Sequence, residues 1–220
     1  MSRSRSLDCV ILKRFDLGEA DRVLIVFSRE LGKISVMAKG VRRIVSRKAG
    51  SVEIGNNSRI FVVEGKNFYI LQEVKILHAF LTLGTQLPIF KYGYYVLELV
   101  DKLTQPEEQQ ESVYKLLVEI LQILNINPRK IFIRAFEIKL LHRLGFLTVT
   151  GMDLQAGSIS GSEFLDDDSL DLLMRLQEES WQDISEMDLS EDSAYRLEQF
   201  MKFRLQLLVE RDLKSLYYFD

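Results

Sequence analysis

CVILKRFDLGEADRVLIVFSRELGKISVMAKGVRRIVSRK, residues 9–48, holds three short apolar runs at residues 9–15, 22–28 and 33–38. The turn-rich pieces DLGEAD and RELG separate them, and β-branched and aromatic runs split by Gly and Asp turns predict antiparallel strands. In the third run the two-residue period of a strand puts Ile34, Val36 and Ala38 on one face and Lys33, Ser35, Met37 and Lys39 on the other. One face is core; the other carries cations. Gly40 then permits a turn, and Arg42, Arg43, Arg47 and Lys48 follow without an acid among them. A concentrated cationic loop beside a small sheet is an electrostatic footprint for a polyanion.

Working outward, the first 78 residues predict five strands. Residues 58–64 (SRIFVVE) and 68–76 (FYILQEVKI) are joined by Gly65, Lys66 and Asn67, a hairpin loop in which Gly and Asn are available for positive φ. Five strands with tight loops, and one longer cationic connection between the third and fourth, suit a small Greek-key barrel of the OB type. Sandwich and SH3-like arrangements fit the same pattern. In such barrels single strands of nucleic acid lie across the sheet, with cations following phosphates and rings stacking on bases. Phe15, Phe61, Phe68 and Tyr69 are the rings available, and burial in the barrel core is the expected role of each.

From residue 80 the apolar period lengthens to three and four, which predicts helices over 88–103 and 111–124. A third helix is expected to open at Asn127 as cap with Pro128 in the first helical position, and to run to Gly145. Its apolar residues go nearly all the way round, so it is placed at the centre of a helical bundle. A short helix is expected at residues 169–179, and a long one from Ser190 to about residue 215, with Ser190 as cap and Glu191 and Asp192 at the positive end of the dipole. The fold class is therefore α+β in two domains, a barrel over residues 1–79 and an all-α domain over 80–220.

Charge divides along the same line. The formal net charge is −3, but residues 1–80 carry 15 Lys or Arg against 8 Asp or Glu, and residues 81–220 carry 14 against 24. Residues 151–195 alone hold 13 acids and one base, Arg175. Only the basic end suits nucleic acid; the acidic end would repel it. No apolar run approaches the roughly 20 residues that span a bilayer, and residues 1–16 show no signal-peptide core. The expectation is a cytoplasmic protein with no membrane contact.

Little in the sequence suggests covalent chemistry. Cys9 is the one cysteine, so an internal disulfide and a Cys-based zinc site are excluded, and a buried strand residue is the simpler reading. His78 and His142 have no cysteine or dense carboxylates around them, and there is no Walker loop, dinucleotide glycine pattern or nucleophile elbow. Asp166, Asp167 and Asp168 lack the alternating spacing of an EF-hand loop, so an acid-rich helix start is the better account. Neither enzyme activity nor a cofactor or metal is expected.

The string LGEADRVLIVFSRELGKISVMAKGVRRIVSRKAG, with VILKRFD before it, resembles the N-terminal domain of the RecO family of bacterial DNA repair proteins. The resemblance continues in YYVLELVDKL, FIRAFEIKLLHRLGF and RLQLLVERDLKSL, in the family's order. It implies an OB barrel followed by a helical domain, and a recombination mediator. Such a protein binds single- and double-stranded DNA, anneals complementary strands, and works with RecR to load RecA on DNA coated by single-strand-binding protein. It also implies recognition of that coating protein's acidic C-terminal tail. Many members carry four zinc-binding cysteines after the Gly-Phe that closes the central helix; here Gly145 and Phe146 are followed by LTVTGMDLQAGSISGSEF, without a cysteine, so no zinc is expected.

DNA contact is accordingly expected only from the N-terminal cations Arg14, Arg22, Lys33, Lys39, Arg42, Arg43, Arg47 and Lys48, meeting phosphates without reading bases. Arg129, Lys130 and Arg134 are the candidate rim for the acidic tail. The competing reading is a protein-interaction scaffold with weak or no DNA binding, favoured by a pI of about 5.6. An RNA-binding OB protein is a third option, for which nothing predicts a 2′-hydroxyl preference.

Overall fold

The structure is a computed structural model that describes residues 3–43, 49–80, 87–147, 161–188 and 190–209. It divides into two compact units, Met1–Ile126 and Asn127–Asp220. The first unit holds strands β1 (Ser4–Leu17), β2 (Asp21–Ser28), β3 (Gly32–Ala38), β4 (Asn57–Glu64) and β5 (Tyr69–His78), then helices α1 (Leu87–Leu103) and α2 (Glu111–Ile126). The second holds α3 (Lys130–Arg143), α4 (Asp167–Glu178), α5 (Trp181–Glu186) and α6 (Glu191–Leu208).

The strands close into a barrel in the order β1-β2-β3-β5-β4, with β4 returning to β1 and a short parallel pairing of β3 with β5. This is the OB arrangement. Strand β1 is long because it serves two neighbours: residues from Ser4 to Val10 pair with β4, and residues from Cys9 to Leu17 pair with β2. Leu7, Cys9, Ile11, Leu24, Val26, Ile34, Val36, Ala38, Ile60, Val62 and Leu71 fill its interior. The alternation in β3 falls as the two-residue period requires, with Ile34, Val36 and Ala38 all buried.

A register shift between Ile11 and Lys13 changes which side chains face inward. Before it Ile11 stands opposite Val26, both in the core; beyond it Arg14 stands opposite Leu24 and Phe15 opposite Val23. The extra residue of a bulge swaps the faces of everything that follows. Phe15 therefore leaves the core and is 55% exposed. Phe61 is also exposed, whereas Phe68 and Tyr69 are half-buried. The expected burial of these four rings in the core is thus corrected for Phe15 and Phe61, and only Tyr69 packs against the core cluster.

Helices α1 and α2 belong with the barrel, both packing on β1. The buried Tyr114 hydroxyl of α2 donates to Asn57 Oδ1 at 3.0 Å. The connection between the two helices crosses the start of β3, where the Glu107 amide donates to the Lys33 carbonyl at 2.9 Å. Gly32 has a φ of +67°, and a Cβ there would overlap the Glu108 carbonyl. In the Gly65-Lys66-Asn67 loop the expected positive φ is absent. Gly65 is needed for a different reason: a Cβ would come within 2.6 Å of the Phe68 carbonyl oxygen.

In the second unit every residue from Ile131 to Leu141 is buried, so α3 is the central helix its composition predicts. Its start differs from expectation. The cap is Arg129 in extended conformation, without a side-chain capping bond, and Asn127 and Pro128 lie ahead of it. The Arg129 amide donates to the Asn127 carbonyl at 3.0 Å, a local turn that delays the helix. The buried charged groups of α3 find partners within the unit. Arg134 donates to Glu137 at 2.6 Å and lies 3.4 Å from Glu198 of α6. Lys139 Nζ donates to the Gln177 and Glu179 carbonyls at 2.9 and 2.8 Å, where the α4 dipole is negative.

Helix α4 starts two residues earlier than expected, capped by Asp166, whose side chain accepts from the Ser169 amide at 3.0 Å. The acid run thus begins a helix. Helix α6 is capped by Ser190, which accepts from the Ser193 amide at 3.1 Å, and it ends at Leu208 rather than near residue 215. Residues 210–220 and the glycine- and serine-rich stretch 148–160 lie outside the described residues. Ser190→Ala should lower the stability of this unit by about 1 kcal/mol, read in denaturant unfolding, because it leaves first-turn amides uncapped.

Candidate nucleic-acid interface

The predicted DNA-contact cations among the described residues fall into two groups. The first sits at the β1–β2 turn. The segment after β3 folds over this turn: the Arg42 amide donates to the Ala20 carbonyl at 2.9 Å and the Gly40 amide to Asp21 Oδ1 at 2.7 Å. Gly40, with a φ of +66°, makes the turn the sequence predicts. The Arg42 side chain donates to the Gly18 carbonyl at 2.7 Å and lies 3.3 Å from Asp16. Arg22 reaches Asp16 at 3.0 Å and Glu53 at 3.5 Å, and Arg14 also pairs with Glu53.

Two acids are therefore threaded among these arginines, Asp16 from the same hairpin and Glu53 from a distant part of the chain. The hydrogen bond from Arg22, with Arg42 and Arg14 close by, holds the Asp16 carboxyl below the usual aspartate range. Arg14 and Arg22 are thus partly neutralised, and the Arg22 side chain is only 17% exposed. Lys39, Arg42 and Arg43 are exposed. Arg47 and Lys48 lie outside the described residues.

The second group lines a cleft of about 520 Å³ framed by β1, β2, β3, the β4–β5 loop and the end of α1. Lys33, expected to stand with the outward cations, is in this cleft. It hydrogen-bonds the Asp101 backbone carbonyl and lies 3.7 Å from the Asp101 carboxylate, which also binds Lys13. Burial pulls the Lys33 ammonium below the ordinary lysine value, and Asp101 opposes that shift. Phe15, Phe68 and Tyr69 complete the wall. Neither Lys13 nor Asp101 is singled out by the sequence, because the pair joins positions 88 residues apart.

The helical residues considered for tail recognition do not form one rim. Arg129 and Lys130 are exposed; Arg129 donates to the Ser185 carbonyl at 2.7 Å and lies over the Phe132 ring at 5.9 Å. Arg134 is buried against Glu137 and Glu198, which corrects its expected place at an exposed edge.

Among the described residues neither the cysteine nor either histidine is placed as a nucleophile with its base. Cys9 is fully buried, and desolvation pushes its thiol up, away from the reactive thiolate. His142 Nδ1 lies 3.3 Å from the Leu147 carbonyl, and His78 stacks on Phe80 with ring centres 5.7 Å apart. Among the described residues no group of three or more His, Cys, Asp or Glu is placed to hold a metal ion, and no helix is long and apolar enough to cross a membrane.

The architecture is that of an OB-type barrel with an exposed cationic turn and a ring-lined cleft, followed in the chain by a helical unit. The family model described as "Recombination protein O N terminal" matches residues 1–80, and "Recombination protein O C terminal" matches residues 87–217. The chain belongs to the RecO family. A "DNA repair protein RecO" of Pelotomaculum thermopropionicum is 35% identical over 142 residues, which cover 64% of this chain and 56% of that protein. Another, from Roseiflexus sp., is 26% identical over 97% of this chain and 84% of its own length. A third, from Clostridium perfringens, is 34% identical over 62% of this chain. The alignment with the first of these thus spans little more than half of that relative's length.

Proposed function

We propose that this chain is a DNA repair protein that acts as a recombination mediator. It binds single- and double-stranded DNA without sequence preference, anneals complementary strands, and helps load recombinase on DNA coated by single-strand-binding protein. The observation that carries the reading is the exposed cationic turn with Lys39, Arg42 and Arg43 beside an OB barrel, in a chain of the RecO family. Phosphate contacts position a strand and carry no sequence information, which is what annealing of arbitrary sequences needs. Neutralised strands can approach one another, and no covalent step is required, so the protein is not an enzyme in this account.

RecR and the acidic tail of single-strand-binding protein are the proposed protein partners, with Arg129 and Lys130 left as the tail's candidate cations. Work on chromosomal DNA puts the protein in the cytoplasm, at the nucleoid. The scaffold reading draws support from the acids interleaved with Arg14 and Arg22, which lower the charge available to phosphates.

Replacing Arg42, Arg43, Arg47 and Lys48 together with Ala separates the two. The variant should bind all DNA sequences more weakly, and its salt slope should flatten by up to about 2.8, from roughly 0.7 per phosphate on a single strand. Unchanged affinity and slope, measured by fluorescence anisotropy over a salt series, would count against the cationic turn as the DNA contact.

A further inference from the structure

We infer that Asp101 of α1 is an internal competitor for DNA phosphate, which withholds Lys13 from a strand and keeps the affinity of the barrel below what its cations allow. The inference rests on the DNA-binding reading above and concerns how tightly that surface holds its ligand.

The bulge in β1 brings Lys13 into play. Alternation continued from Cys9 and Ile11 would send Lys13 into the core; the register shift turns it out into the cleft beside α1, with its side chain 37% exposed. There it pairs with the Asp101 carboxylate, which arrives from the last turn of α1. A carboxylate and a phosphate offer an ammonium the same thing, an anionic oxygen. A phosphate approaching Lys13 therefore has to displace Asp101, and it is repelled by that carboxylate on the way in.

The two lysines on Asp101 are not equivalent. Lys33 Nζ has two holds on this residue, a hydrogen bond to its backbone carbonyl and the carboxylate 3.7 Å away, and its side chain is only 14% exposed. The carbonyl is among the last of α1, which have no partner inside the helix, so Lys33 caps the helix and ties it to β3. Lys13 is held by the carboxylate, and solvent reaches it. In this account Lys33 serves the helix and Lys13 is the cation in reserve. A protein that anneals strands must also let the duplex go, and an internal anion weakens the grip without removing the surface.

The test compares the full chain with Asp101→Asn, Lys13→Ala and the double variant, each checked for thermal unfolding and titrated with a mixed-sequence single strand over a salt series. Asparagine keeps the shape of the side chain and leaves the backbone carbonyl to Lys33. Asp101→Asn should raise affinity about fivefold near 0.1 M salt and steepen the salt slope by about 0.7, the effect of one added phosphate contact on a single strand. Lys13→Ala should leave affinity and slope nearly as they are, because the wild-type lysine is already engaged, and the double variant should show none of the gain. Unchanged affinity in Asp101→Asn, or a gain that persists without Lys13, overturns the inference while leaving DNA binding in place. So does a loss of about fivefold in Lys13→Ala alone, which would show the lysine free to meet phosphate. Failure of Asp101→Asn to fold also overturns it, by making the carboxylate a structural element. If neither the wild type nor Asp101→Asn binds DNA, the functional reading and the inference fall together.

Discussion

Arg134→Met is expected to lower the stability of the helical unit by about 3–5 kcal/mol, the cost of removing one member of a buried ion pair. Glu137 is completely buried and Arg134 nearly so, and they are joined at 2.6 Å within one turn of α3. Removing the guanidinium takes from the fully buried Glu137 carboxylate its charge partner at 2.6 Å. Replacing both, Arg134→Met with Glu137→Leu, should recover much of the loss, since a buried pair is often no better than well-packed apolar groups of similar volume. Trp181, the single tryptophan, packs edge-on against Phe132 of α3 with ring centres 6.3 Å apart, so its fluorescence follows this unit in denaturant. A loss below about 1 kcal/mol would show that Glu137 is satisfied without Arg134.

Gly32→Ala should be nearly as damaging to the barrel unit, for two additive reasons. A φ of +67° costs an L side chain about 1–2 kcal/mol. The new Cβ would also overlap the Glu108 backbone carbonyl, forcing the α1–α2 connection off β3 and breaking the Glu107–Lys33 backbone bond, for about 1–3 kcal/mol more. Gly18→Ala is the internal comparison. Its φ is +58°, but nothing lies within 4 Å of an added Cβ, so only the first cost applies. Equal destabilisation of the two variants, measured by the unfolding of each, would mean that the close approach of the helical connection contributes nothing.

How far the fold was legible follows from which interactions are local. The five strands declare themselves through two-residue alternation and glycine turns, and α3 through apolar residues all round its axis, because both signals lie within a dozen residues. Phe15 was misplaced because a bulge leaves no mark in the alternation: Cys9 and Ile11 predict an inward Phe15, and one extra residue reverses it. Lys33 is outward by parity, as expected, yet it is not a free cation, since Asp101 arrives from 68 positions away. Glu53 likewise reaches Arg14 and Arg22 only through tertiary folding, whereas Asp16 stands opposite Arg22 in the local β1–β2 hairpin. Arg134 illustrates the converse. A charge on a helix that is apolar on all sides has to be buried, and that inference was available from its neighbours in the sequence.

The central claim is tested most directly by the affinity of the full chain for single-stranded DNA of two unrelated sequences across a salt series, scored beside annealing of a complementary pair. With about five cations on phosphates, log K should fall with log salt at a slope near −3.5 for both sequences, and annealing should accelerate. No binding at low salt, with no acceleration of annealing, would contradict the mediator account and leave the scaffold reading in its place.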